Sequence, residues 1–198
     1  MSTAAVILAA GEGRRFSGDD PHAAPGAKLL AAIGGRPVVV WAVAPALAAG
    51  LDEVVVVEGA ADLATVLPPE LTLIRNEDWS RGLATSLRAG LDWCARQGHE
   101  RAVVGLGDTP GLRADAWRAV AAAPGGPIVV ATYAGQRGQP VRLDAEVWSR
   151  LPSDGDEGAR GLARRHPELV FEVACLGDPA DIDTPEDLRR WSLHHGTD

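Results

Sequence analysis

The sequence predicts a single α/β domain, with a mostly parallel sheet and helices on both faces. Three observations predict it. Short runs of Val, Ile, Leu and Ala alternate with longer stretches of helical spacing. The apolar runs are continuous, as in strands covered on both faces. The 198 residues show no repeat, low-complexity tract or dividing linker, and a chain of that length buries a sizeable core without staples.

Strands are expected at residues 5–8, 53–57, 71–74, 102–106, 128–131 and 169–173. Helices are expected at 37–49, 60–67, 80–96, 114–122, 145–151, 157–165 and 185–192. Pro37 suits a first helical turn and Gly50 a C-terminal stop. Ser80 reads as an N-cap with helix N–H groups beyond it that face an anion. Thr184 reads as the cap before Pro185, with Glu186 and Asp187 in the first turn. Residues 18–27 read as a mobile loop, and 133–139 as a polar turn after a strand.

Composition excludes several classes. A net charge of −8 and a pI of about 5.1 argue against nucleic acid as a partner. Cys94 and Cys175 lie in no metal spacing and read as reduced core thiols of a cytoplasmic chain. The opening MSTAAVILAAGEG has no basic lead, and its apolar run is too short to span a membrane. Among the histidines, His22, His99 and His166 read as exposed, His194 and His195 as terminal, and none joins a catalytic group.

In such sheets ligands gather beyond the carboxyl ends of the strands. After the first strand come Ala9, Ala10, Gly11 and Gly13, small enough for close backbone approach, then Arg14, Arg15 and, further on, Lys28. Glycines and cations after a strand are a device for holding phosphates. Two common phosphate loops do not fit: Phe16 replaces the third glycine of the dinucleotide fingerprint, and no Gly-Lys-Ser/Thr occurs. Asp108, after the strand at 102–106, suits either a hard-metal ligand or a cap for the helix beyond. Asp183, behind apolar Ile182, suits a second ligand or a neighbour of the Thr184 cap. Asn76 precedes the helix at 80–96. Arg137 and Arg160 lie in glycine-bearing turns, as phosphate clamps or as solvated surface.

Taken in order, these segments form a pattern. It runs L-A-A-G-x-G-x-R from Leu8 to Arg15, P-G-x-K-L around Lys28, and N-x-x-W-x-x-G-x-x-x-S from Asn76 to Ser86. Gly-Asp-x-Pro at Asp108, R-G-x-P-V at Arg137, G-D-x-G-A-R ending at Arg160, and D-x-D-T-P-E-D around Asp183 follow. The pattern spans nearly the whole chain and resembles the molybdenum cofactor cytidylyltransferases and guanylyltransferases of the MobA-like nucleotidyltransferase family. The resemblance implies a Rossmann-like, GT-A-like nucleotidyltransferase fold. It implies transfer of CMP from CTP to the phosphate of molybdopterin, with release of pyrophosphate. Leu8, Ala9, Ala10, Gly11, Gly13, Arg15 and Asn76 would then bind the nucleotide. Lys28 and Arg14 would act on the triphosphate, Asp108 and Asp183 would hold Mg²⁺, and Arg137 and Arg160 would hold the acceptor. A client molybdoenzyme is a further implied partner. Ala10 favours the cytidylyl branch, where the guanylyl branch more often has glycine. Thr109, Gln139 and the longer stretch between Arg15 and Lys28 depart from the family pattern. The alternatives are a guanylyltransferase, transfer to another small phosphorylated metabolite, and a non-catalytic protein that binds and delivers a pterin cofactor.

Overall fold

Every residue of β1 (Thr3–Ala9) is buried, and its side chains divide by parity between two cores. Ala5, Ile7 and Ala9 belong to one apolar cluster, Ala4, Val6 and Leu8 to the other, as the two-residue period of a strand dictates. The computed structural model describes residues 1–18 and 24–195. Residues 19–23, at the heart of the expected loop and including His22, lie outside the described residues, as do the side chains of His194 and His195.

After β1 come α1 (Arg14–Ser17), α2 (Ala27–Leu30), a small hairpin of β2 (Ala32–Ile33) and β3 (Arg36–Pro37), and α3 (Val38–Ala49). Then follow β4 (Glu53–Glu58), β5 (Thr72–Arg75), α4 (Leu83–Arg96), β6 (Arg101–Leu106), α5 (Ala114–Ala122) and β7 (Ile128–Tyr133). The chain ends with β8 (Gln136–Asp144), α6 (Ala145–Trp148), α7 (Gly158–Arg165), β9 (Val170–Ala174) and α8 (Pro185–His195). Seven strands form one sheet in the order β5-β4-β1-β6-β8-β7-β9. Only β8 runs against its neighbours. Helices α3 and α5 cover one face through Val39, Val43, Trp117 and Val120. Helices α4, α6 and α7 cover the other through Leu87, Leu91, Trp148 and Leu162. A third cluster ties α8 to the hairpin through Ile33, Val38, Ile182 and Trp191.

Four expectations change. The polar turn at 133–139 is a tight hairpin leading into β8, and the expected helix at 60–67 is a series of turns. There Ala60 N donates to Ala10 O and Leu63 N to a Glu58 carboxylate oxygen, so these amides serve the sheet rather than a helix. Ser80 caps nothing: it lies in a single 3-10 turn, and α4 starts only after Gly82. The first amides of α4 are closed off, Leu83 N by Asp156 Oδ1 and Ala84 N by Gly155 O. His99 is buried, with ring nitrogens 2.7 Å from Ser2 Oγ and 2.8 Å from Glu53 Oε2. The Thr184 cap holds: Asp187 N donates to Thr184 Oγ1, and Thr184 N donates to Asp187 Oδ2 at 2.9 Å. The Thr184 contacts keep the Asp187 carboxyl below the usual carboxylate range. Among the described residues no helix is long and apolar enough to cross a membrane.

Arg142 in β8 is 1% exposed, and backbone carbonyls surround it. Its Nη1 donates to Ala123 O at 2.6 Å and Ala121 O at 3.2 Å, its Nη2 to Gly125 O and Gly126 O, and its Nε to Asp144 Oδ1 at 2.9 Å. The end of α5 and the turn after it leave carbonyls with no helical partner, and a guanidinium fork supplies five donors. Arg142→Met should therefore lower stability by about 3–5 kcal/mol, since it strands several buried acceptors and Asp144 at once. Urea unfolding followed by circular dichroism measures this, and a loss under about 1 kcal/mol would show that water replaces the fork.

Candidate active site

The strand order places the site. β4 and β5 lie on one side of β1, and β6 on the other, so the sheet's connections diverge between β1 and β6. At such a switch point the loops beyond the strand ends part and leave a crevice. Leu8 pairs with Leu106 in register, so Ala9-Ala10-Gly11 and Gly107-Asp108 leave the sheet side by side. Gly107 N donates to Leu8 O at 2.9 Å. A Cβ on Gly107 would stand 2.8 Å from the Ala9 methyl, so only glycine allows this approach. Ala10 is buried, and its methyl abuts Gly59, where a Cβ would meet it at 2.8 Å. Gly11 is exposed and open, with nothing near where its Cβ would be.

Lys28 rides on α2, whose next residue, Leu29, anchors in the first core. The Lys28 side chain is 11% exposed. Its Nζ donates to Asp108 Oδ2 at 2.6 Å and to Asp183 Oδ1 at 3.3 Å. Asp183 is brought there by its neighbours: Ile182 N donates to Asp108 O at 2.9 Å, and the Ile182 side chain sits in the third core. On its other side Thr184 caps α8. Arg15 Nη1 lies 2.5 Å from Asp183 Oδ2. Asp108 Oδ1 is buried with no hydrogen-bond partner among the described residues. Asp181 completes the group, its carboxyl held above the usual range by partial burial and by the charges of Asp183 and Asp108. Sequence reasoning left Asp181 without a role. The available signal was its spacing: two residues from Asp183 in non-helical chain puts both on one side.

The other predicted residues fall into three places. Arg14 faces solvent and pairs with Glu12 at 2.7 Å. Asn76 is buried; its Nδ2 donates to the Thr85 and Ser86 hydroxyls and its Oδ1 accepts from Asp78 N, so its polar atoms fasten the 76–78 turn to α4. Arg137 and Arg160 line a cavity of about 550 Å³ together with Leu8, Leu87, Leu106, Val141, Thr109 and Asp181. Arg137 Nε also lies 2.6 Å from Glu172 Oε1 at the surface. The structure thus brings together Arg15, Lys28, Asp108, Asp181 and Asp183, and sets an apolar-floored cavity with a charged rim beside them. Among the described residues no three His, Cys, Asp or Glu side chains converge to cage an ion by themselves.

The chain is similar to known proteins in sequence and in fold. The family model for the MobA-like NTP transferase domain matches residues 5–170. Nicotine blue oxidoreductase of Paenarthrobacter nicotinovorans is 32% identical, covering 93% of this chain and 94% of its own. Molybdenum cofactor guanylyltransferase of Cereibacter sphaeroides is 31% identical, covering 93% of each chain. The structure of Rv0371c from Mycobacterium tuberculosis H37Rv is 28% identical with a TM-score of 0.81, covering 98% of both chains. A complex of that protein with manganese superposes with a TM-score of 0.76 at 28% identity, covering 98% of this chain and 99% of its own.

Gly107→Ala should cost about 1–3 kcal/mol, because its methyl meets Ala9 rather than the yielding end of a long side chain. Denaturant unfolding measures the loss. A variant as stable as the native chain would show that the ends of β1 and β6 part freely.

Proposed function

Because the chain belongs to the MobA-like NTP transferase family, we propose that it transfers a nucleoside monophosphate from a nucleoside triphosphate to the phosphate of molybdopterin. The observation that carries the reading is the cluster of Lys28, Arg15, Asp108 and Asp183 at the switch point, beside a cavity of acceptor size. An oxygen of the acceptor phosphate forms the new bond to the α-phosphorus. The bond from the α-phosphorus to the bridging oxygen breaks, and pyrophosphate leaves. No protein nucleophile is required; positioning and charge neutralisation carry the rate.

Magnesium is the proposed metal. The donors present fit it: two carboxylates, one with a buried oxygen lacking any partner, suit a hard ion that takes its remaining ligands from phosphate and water. Asp108 and Asp183 would hold it, and it would neutralise charge on the triphosphate. Lys28 meets charge growing at the α-phosphate; Arg15 and Arg14 face the outer phosphates. Leu8 to Gly13 shape the nucleotide pocket, with Asn76 bracing its far wall through α4. Arg137 and Arg160 grip the acceptor from the cavity rim, where a guanidinium holds phosphate or a ring carbonyl bidentately. The setting proposed is the cytoplasm, with a client molybdoenzyme receiving the product.

CTP is the proposed donor, on the strength of Ala10, whose buried methyl fixes the path of the nucleotide loop. GTP is the second reading, favoured by the guanylyltransferase name of a 31% identical relative. Pyrophosphate release from each nucleotide, with Mg²⁺ and molybdopterin, tests both. Turnover with CTP in excess of GTP supports the first reading, the reverse supports the second, and no release from any nucleotide rejects transfer to molybdopterin.

Asp108→Asn should lower kcat at least ~10²-fold, about 2.7 kcal/mol of transition-state stabilisation, while the circular dichroism spectrum stays native. Near-normal turnover by the folded variant would remove Asp108 from the metal site.

A further inference from the structure

We propose that Lys28 is the resident counterion of the two-aspartate site and changes partners when substrate arrives. It leaves Asp108 and Asp183 as a divalent cation takes their oxygens, and pairs with the triphosphate instead. The inference rests on the metal reading above and adds what fills the site beforehand.

Three observations carry it. First, Lys28 Nζ stands between the two carboxylates, within 2.6 Å of one and 3.3 Å of the other, where a cation bridging them would stand. Arg15 takes the outer oxygen of Asp183. Among the described residues, Asp108 Oδ1 alone of these four oxygens is left without a partner, and it is buried. A divalent cation therefore meets a site whose other oxygens are already engaged.

Second, the charges allow exchange and resist addition. Asp108, Asp181 and Asp183 face Lys28 and Arg15, one negative charge in excess. Adding a divalent cation while both basic groups stay would leave uncompensated positive charge in a partly buried cluster, which is costly. A metal–triphosphate pair resolves this. The metal goes to the carboxylates and the phosphates go to the metal and the freed cation, so no positive charge is left uncompensated.

Third, the residue type fits. Lys28 is the only lysine among the 19 Lys and Arg residues of the chain. An ammonium is a compact point charge on a flexible stem, whereas a guanidinium fork would lock bidentately onto a carboxylate. Glycine at position 13 leaves the stem uncrowded: a Cβ there would stand 3.1 Å from Lys28 Cβ.

A single lysine makes the test clean. The native protein is acylated with an amine-reactive ester, with and without Mn²⁺ and with no nucleotide, and Lys28 modification is followed by peptide mass spectrometry. Mn²⁺ binding is read in parallel by electron paramagnetic resonance. Lys28 should react several-fold faster once Mn²⁺ is bound, and Asp108→Asn should abolish the difference. Lys28→Met, which keeps the stem and drops the charge, should bind Mn²⁺ several-fold more tightly than the native chain. Unchanged or slower acylation with Mn²⁺ bound overturns the exchange and leaves the metal reading intact. Equal or weaker Mn²⁺ affinity in folded Lys28→Met also overturns it. Failure of Mn²⁺ to bind either protein rejects the metal reading and the exchange together.

Discussion

A lysine ammonium nine-tenths buried needs a counter-charge, and the arrangement of this site follows from that need. Lys28 finds Asp108 80 residues away and Asp183 155 residues away. The two ion pairs therefore join the first, middle and last parts of the chain at one point. Each partner is fixed by backbone before it is fixed by charge. Gly26 N donates to Glu12 O and holds α2 against the first loop. Gly107 N reaches Leu8 O, and Ile182 N reaches Asp108 O. With the backbone so stitched, the pairs form without further backbone ordering, and partial burial strengthens an interaction that is weak at an open surface.

Close approach is the second constraint, and it is met by small residues. Ala9, Ala10, Gly59 and Gly107 sit where any larger side chain would force β1 away from its neighbours' ends. The loop at Gly155-Asp156 works differently, closing the first amides of α4 with a carbonyl and a carboxylate. That contact bonds the cavity wall to the helix braced by Asn76. Sequence motifs that look like separate binding turns are thus parts of one frame, each satisfying backbone groups that another leaves open.

The central parallel strands were legible because burial on both faces makes them continuous apolar runs, and each parallel strand of the large sheet lies within a residue or two of its expected position. The clustering of Arg15, Lys28 and Asp108 was legible from residue type beyond the ends of β1 and β6, and that of Asp183 from its place before the Thr184 cap. What escaped has specific physical causes. β8 carries Arg137, Gln139, Pro140 and Arg142, and reads as polar turn because its inward arginine is satisfied by carbonyls remote in sequence. The stretch at 60–67 has helical composition, but its amides go to Glu58 and Ala10, which local pattern cannot reveal. His99 sits in a polar run beside Gly98 and Glu100; its burial depends on Glu53, a strand away. In each case a tertiary hydrogen bond overrode a local signal.

The reversal of β8 completes the site. In a parallel sheet each strand delivers its end to the ligand side, and its beginning lies on the opposite side. β8 pairs antiparallel with β6, Val104 opposite Val141 and Arg101 opposite Asp144. Its beginning, not its end, therefore reaches the edge where Asp108 lies. The short hairpin from β7 puts Arg137, Gly138 and Gln139 there at once, on the rim of the cavity. One strand thus serves both ends: Arg137 at the site, and Arg142 further along locking the turn after α5. A parallel strand at this position would have needed a crossover of a dozen residues or more, and would have carried its first residues away from the site.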